Sequence, residues 1–258
     1  CRGPMMFSGY WRNPDAAAPL LDGPASDDTK VYPLAPTHPW RIKREQHAEY
    51  FAFYRKISLS DAAASAYFTS ACSPLVYQDH SLPGLHGHYL VCEPAQNLVH
   101  RAEIIRDGTC LRLQRVKGEE QREFLASRDA WFHPMSLAHT PDGSIAIVDF
   151  YREIIEDYSA IPRHLQQQYG VINGHDRGRI WLLVPEEKAK PLPANMASLE
   201  DATLEKELGS QRHWRRQTAQ RLLTERGKLP ADFLLRGWKQ DDVAAKIAAL
   251  CAADRDRF

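Results

Sequence analysis

Six short runs between residues 87 and 184 constrain the fold most: Gly87–Cys92, Leu98–Ile105, Cys110–Val116, Met135–Thr140, Ser144–Phe150 and Arg179–Val184. Each is apolar or alternating. Leu111 and Leu113, for example, alternate with Arg112 and Gln114, the period of a strand with one buried face. Arg106-Asp107-Gly108-Thr109 supplies a Gly turn between two of the runs, and Pro141-Asp142-Gly143 supplies another. Short strands joined by turns, with little helix between them, predict an antiparallel β architecture, and both a sandwich and a propeller satisfy that pattern. Met135–Phe150 is expected to be a hairpin turning at Asp142-Gly143, with Arg179–Val184 as its neighbour.

The flanks read differently. Over residues 1–66, Pro4, Pro14, Pro19, Pro24, Pro33, Pro36 and Pro39 interrupt any long element. Met5–Tyr10 is expected as a strand and Glu45–Ile57 as a short helix. After the Pro-rich linker Pro185–Pro193, the period changes to that of amphipathic helices. Ser198 followed by Asp201 has the form of a capping box. Leu204 and Leu208 lie four apart, as do Trp214, Thr218 and Leu222. Two further segments carry Leu234, Leu235 and Trp238, then Val243, Ile247 and Cys251. Breaks at Gly209 and Gly227–Pro230 suggest helical pairs in series, each needing a neighbour to cover its apolar face. The five arginines Arg212, Arg215, Arg216, Arg221 and Arg226 are expected to pair with the acidic helix before them.

Composition narrows the function. With 33 basic and 33 acidic residues the 258-residue chain has no net charge, which argues against a nucleic-acid partner. No run of 18 apolar residues is present, so no transmembrane segment is expected. Five cysteines, Cys1, Cys72, Cys92, Cys110 and Cys251, form no zinc or haem-attachment spacing. The start at Cys1 rather than Met suggests a fragment. His86-Gly87-His88 has the same-face spacing of a metal pair, with His80 or Asp79 as a third ligand, although exposed loop histidines explain it as well.

Four stretches carry a resemblance. They are Phe68-Thr69-Ser70-Ala71-Cys72; Val91-Cys92-Glu93-Pro94 with Asn97-Leu98-Val99-His100-Arg101; Trp131-Phe132-His133-Pro134 through Pro141-Asp142-Gly143 to Asp149-Phe150-Tyr151-Arg152; and Asp176-Arg177-Gly178-Arg179-Ile180. In order and spacing the chain resembles the large bacterial membrane-bound dehydrogenases. Those carry a glucose/sorbosone-dehydrogenase-like β-propeller, HEAT-like helical repeats and often a c-type haem domain. The resemblance covers roughly residues 66–226. Four positions differ from the family pattern: Ser73, where Gly is usual, His133, where Arg is usual, and His86 and His88, where no histidine is expected.

The resemblance implies a mainly β chain with an α-helical C-terminal part. Residues 1–190 would be the C-terminal portion of a propeller, irregular over 1–66, and 196–258 the start of a HEAT-like repeat. It implies an oxidoreductase of the periplasm or cell surface that oxidises a sugar or other alcohol. PQQ and Ca²⁺ would sit at the propeller, and electrons would pass to a cytochrome-like domain whose haem c lies outside this chain. Catalytic roles would fall to His100 and His133, and cofactor binding to Arg101, Asp149 and Arg152. Arg152 would clamp a carboxylate and a histidine would act as base. A Cys72–Cys92 disulfide is implied by family position. The alternative is a non-catalytic module that binds protein or glycan, because fold does not fix function.

Overall fold

The computed structural model describes residues 30–39, 68–107, 110–155, 163–184 and 195–229. The expected strand Met5–Tyr10, the helix Glu45–Ile57, the turn at Gly108-Thr109, the linker Pro185–Pro193 and both helical segments beyond residue 230 lie outside the described residues.

Two compact units are distinguished. The first is mainly β. Its larger sheet contains β1 (Cys72–Val76), β2 (Tyr89–Glu93), β3 (Leu98–Asp107) and β4 (Cys110–Arg115) in sequential antiparallel order, and the two-residue β5 (Leu125–Ala126) pairs the start of β3. The smaller sheet runs β6 (Pro134–His139), β7 (Ile145–Asp149) and β8 (Arg179–Leu183), again antiparallel and sequential. All six strand-forming runs are therefore strands, and the 135–150 hairpin with β8 beside it forms as expected. A short helix, α1 (Arg163–Gln168), precedes β8.

The core lies between the two sheets, whereas Leu111 and Leu113 of β4, expected on a buried face, are 60% and 41% exposed. Leu90, Cys92 and Val99 of the larger sheet pack with Leu137, Ile145 and Ile147 of the smaller one, around the fully buried Tyr77. Such aliphatic burial is worth roughly 1.5–3 kcal/mol per side chain, which is ample to dock one sheet on the other.

β1 was not anticipated. Its Cys72-Ser73-Pro74 start lacks alternation, and Ser73 occupies the left-handed region at φ 52°. The register with β2 shifts between Cys72 and Leu75, so Ser73 sits in a bulge, where Gly usually supplies that conformation. The Ser73 hydroxyl accepts a hydrogen bond from Leu137 N at 2.8 Å, a contact glycine could not make.

The second unit comprises the described residues 79–81, 140–143 and 195–229. Here α2 (Asp201–Glu207) packs on α3 (His213–Glu225) through Leu204, Leu208, Ala219, Leu222 and Leu223, with Met196 completing the core. The capping box is corrected. Ser198 ends a 3-10 turn capped by Asn195, and Glu200 precedes α2 with no side-chain cap. Two of the five arginines pair as read, Arg215 with Glu207 and Arg226 with Asp201 at 2.7 Å. Arg212 pairs with Asp79 instead, Arg221 with Glu225 of its own helix, and Arg216 donates to Ser210 O.

Asp79, almost fully buried, accepts from Arg212 Nη1 at 3.2 Å and from His213 N, the first amide of α3, at 3.0 Å. A carboxylate from a distant stretch of chain thus satisfies one of the amides a helix N-terminus leaves unpaired. Gly143 (φ 85°) is required there, since a Cβ would stand 2.2 Å from Ser81 Oγ and 2.3 Å from Arg212 Nη1.

Candidate functional site

The four sequence motifs are joined to one another by three buried polar groups of the β unit. Glu93, fully buried, accepts from the Ser70 hydroxyl at 2.8 Å and from the Thr69 and Ser70 amides, which ties the first motif to the second. Burial pushes its pKa up against these hydrogen bonds. Asn97, left-handed at φ 59°, donates its amide to Ala130 O and Phe132 O, and His133 Nδ1 donates to Pro94 O at 2.7 Å. The second motif is thereby bound to the third.

Asp149 links the third motif to the fourth. One of its oxygens accepts from His133 N at 2.9 Å and Tyr151 N at 3.0 Å; the other accepts from Arg179 Nε at 3.2 Å and Trp181 Nε1 at 3.1 Å. All of its acceptor directions are thus engaged within the protein.

The candidate residues distribute as follows. His133 lines a cavity of about 30 Å³ with His38, Gln96, Asn97, Glu153 and Ile154. That space suits one or two waters, not a cofactor, since small-molecule sites measure roughly 300–1,000 Å³. Arg152 borders a groove of about 310 Å³ with Phe150, Ile154, Val171, Ile172 and His175. Its guanidinium is turned to backbone carbonyls of Phe150, Tyr151, Gly174 and His175, and it stacks on the Phe150 ring at 4.4 Å. Gly174 (φ 87°) allows this, because a Cβ would approach Tyr151 O to 2.6 Å.

His100 and Arg101 border neither space. Being consecutive in β3, they point to opposite faces. Arg101 forms a two-pronged pair with Glu119 at 2.5 and 3.1 Å and covers the Phe124 ring. The five residues therefore do not form one pocket, although His133 and Asp149 are in direct contact.

His100 has the arrangement closest to a chemical role. Its Nδ1 lies 2.7 Å from Glu123 Oε2, and Glu123 is completely buried. Glu123 also accepts from Arg115 at 2.8 Å and from Tyr32 N at 3.0 Å. Burial alone would raise the Glu123 pKa, but the His100 hydrogen bond and the Arg115 ion pair outweigh it and hold the carboxyl below its usual range. An ionised Glu123 fixes the proton of His100 on Nδ1 and directs the lone pair of Nε2 away from it. No described residue bonds Nε2. Glu123 carries no signal in the sequence, since a Glu in Arg-Glu-Phe looks like surface charge; only the fold closes its 23-residue separation from His100 to a hydrogen bond.

The model of the family described as Domain of unknown function (DUF7133) matches residues 14–187. The chain belongs to the DUF7133 family. No curated protein and no solved structure matches it. The DUF7133 segment contains all three linking groups and the His100–Glu123 pair. The helical unit described above falls, from residue 195 on, beyond the matched residues.

Proposed function

We propose that this chain is part of an oxidoreductase acting on a sugar or other alcohol, in which His100 is the general base and Glu123 orients it. The observation that carries the reading is the 2.7 Å His100–Glu123 contact, with Nε2 left without a partner among the described residues. A base held by a buried carboxylate is the arrangement that proton abstraction from a hydroxyl requires. The substrate hydroxyl would give its proton to Nε2 while the hydride on the same carbon passes to a two-electron organic redox cofactor held outside the described residues, leaving a carbonyl product.

Asp149 has no acceptor direction left for Ca²⁺, and Arg101 and Arg152 are committed to Glu119 and to carbonyls. Among the described residues no group of three or more His, Cys, Asp or Glu could hold a metal ion. These side chains do not fit PQQ or Ca²⁺ in this arrangement.

The finer fold belongs to the same proposal. Two consecutive antiparallel sheets, in sequential order apart from β5, which pairs β3, support reading them as blades of a β-propeller. The packing of α2 on α3 supports reading them as the opening of a HEAT-like repeat. A periplasmic or cell-surface location and electron transfer to a cytochrome-like domain complete it. Among the described residues no helix is long and apolar enough to cross a membrane.

A second reading, a non-catalytic module that binds protein or glycan, is favoured by the exposed apolar face of β8, where Ile180 is 65% and Leu182 56% exposed. One experiment separates the two. The intact protein is assayed for oxidation of aldoses and alcohols with an artificial electron acceptor, alongside His100→Gln. A loss of roughly 10²–10⁴-fold in kcat for a folded variant supports the base. An unchanged rate overturns the role of His100. No oxidation by the wild type removes the enzyme reading and leaves the binding module.

A further inference from the structure

The structure assigns a carboxylate-binding site to Arg179, a residue given no role above. Its Nε is held by Asp149 at 3.2 Å. The guanidinium carbon lies 3.7 Å from the centre of the Tyr151 ring and 5.2 Å from that of Trp181. Tyr151 is itself fixed. Trp131 packs against its ring at 5.8 Å, and its amide is bound to Asp149 while the backbone stands at φ 45°. A bulky residue in the left-handed region persists only where its surroundings over-determine it. The guanidinium thus rests on a rigid aromatic platform, oriented by a buried carboxylate.

The terminal edge of this guanidinium is unused. Neither Nη1 nor Nη2 has a hydrogen-bond partner among the described residues, and the side chain is 39% exposed. Two parallel N–H groups facing outward match the two oxygens of a carboxylate. Prior fixation lowers the entropy lost when such a pair forms. Asp149 sits on the Nε side and shares its charge among four donors, so it does not occupy the edge an incoming anion would use. Because Asp149 already offsets the Arg179 charge, the site suits a carboxylate group, which carries one negative charge, rather than a dianionic phosphate group. Arg152 differs in this respect, since its Nη atoms are satisfied by carbonyls.

Trp181 donates its indole N–H to the same Asp149 oxygen that holds Arg179, so its signal reports on the site. In ¹H–¹⁵N spectra of the whole chain, that signal is identified by its loss in Trp181→Phe. Succinate, added at constant ionic strength, is expected to move it along a saturable curve with a midpoint at roughly millimolar concentration. The uncharged isostere succinamide should leave it in place. Arg179→Lys keeps a cation for Asp149 but loses the fork, and should weaken binding about tenfold or more. A blocked, Glu-containing peptide run in parallel tells the source: tighter binding than succinate assigns a side-chain carboxylate, weaker binding a free acid. An equal response to succinamide, an unchanged midpoint in a folded Arg179→Lys, or no saturation with either carboxylate overturns the site. The succinate–succinamide comparison needs no variant and decides the matter even if Arg179→Lys does not fold.

Discussion

Cys72 and Cys92 are register partners across the β1–β2 pair, and the Cys72 thiol donates to Met135 O at 3.3 Å. Both are free thiols here. Directly opposed residues of an antiparallel pair have Cα atoms about 4.5–5.5 Å apart, inside the range a disulfide spans. The hydrogen bond between the two sulfurs lowers the pKa of the half-buried Cys72 and raises that of the buried Cys92, whose burial adds to the rise. Cys72 is therefore the thiol that becomes a thiolate first.

Oxidation with diamide is expected to join the two, with Cys72 as the attacking sulfur. The bridge would close a loop of about 20 residues and contribute ~3 kcal/mol in the chain-entropy model. Peptide mapping under non-reducing conditions checks the pairing, and thermal unfolding checks the gain. Recovery of both as free thiols after oxidation would reject the pairing.

Ser73 combines an unfavourable backbone with a favourable side chain. Ser73→Ala keeps the φ of 52° and loses the bond to Leu137 N; Ser73→Gly loses the bond but relieves the backbone. Left-handed backbone costs a non-glycine residue roughly 1–2 kcal/mol, so Ser73→Gly should be the more stable of the two by about 1 kcal/mol. Urea midpoints measure the difference. Equal midpoints would show that the left-handed backbone of Ser73 costs no stability.

Asp79 gives the helical unit a pH dependence. Burial would raise its pKa, but hydrogen bonds from Ser81 and the His213 amide, with the Arg212 charge, hold it below the ordinary Asp value. A depressed carboxylate stabilises the fold above the unfolded pKa, near 3.9, and the contribution disappears as pH falls through the folded value. Asp79→Asn should thus cost about 1–3 kcal/mol at pH 7, and its deficit relative to wild type should shrink below pH ~4. Denaturation at pH 7, 5 and 3 tests this; a deficit that stays constant would show that the charge of Asp79 does not matter.

What the sequence determined by itself was local. Alternation at Leu111 and Leu113, the Gly143 turn and the four-residue spacing of Leu204 and Leu208 placed the strands, the hairpin and the helices, but the period did not tell which face leaves water in β4, where Leu111 and Leu113 are exposed. β1 escaped because Ser73 and Pro74 break that period, and the Ser198–Asp201 box misled because a neighbouring Asn195 caps a tighter turn instead. The polar groups belong to the tertiary structure. Glu93, Glu123 and Asp149 are ordinary charges along the chain, and Arg179 lies 30 residues from the carboxylate that orients it. Only folding removes water from such groups, and a buried charge must then take whichever partner the packed sheets bring within reach. That choice of partner left Arg101 and Arg152 engaged, Arg179 open and His100 oriented by Glu123, and no property of the single residues would have distinguished them.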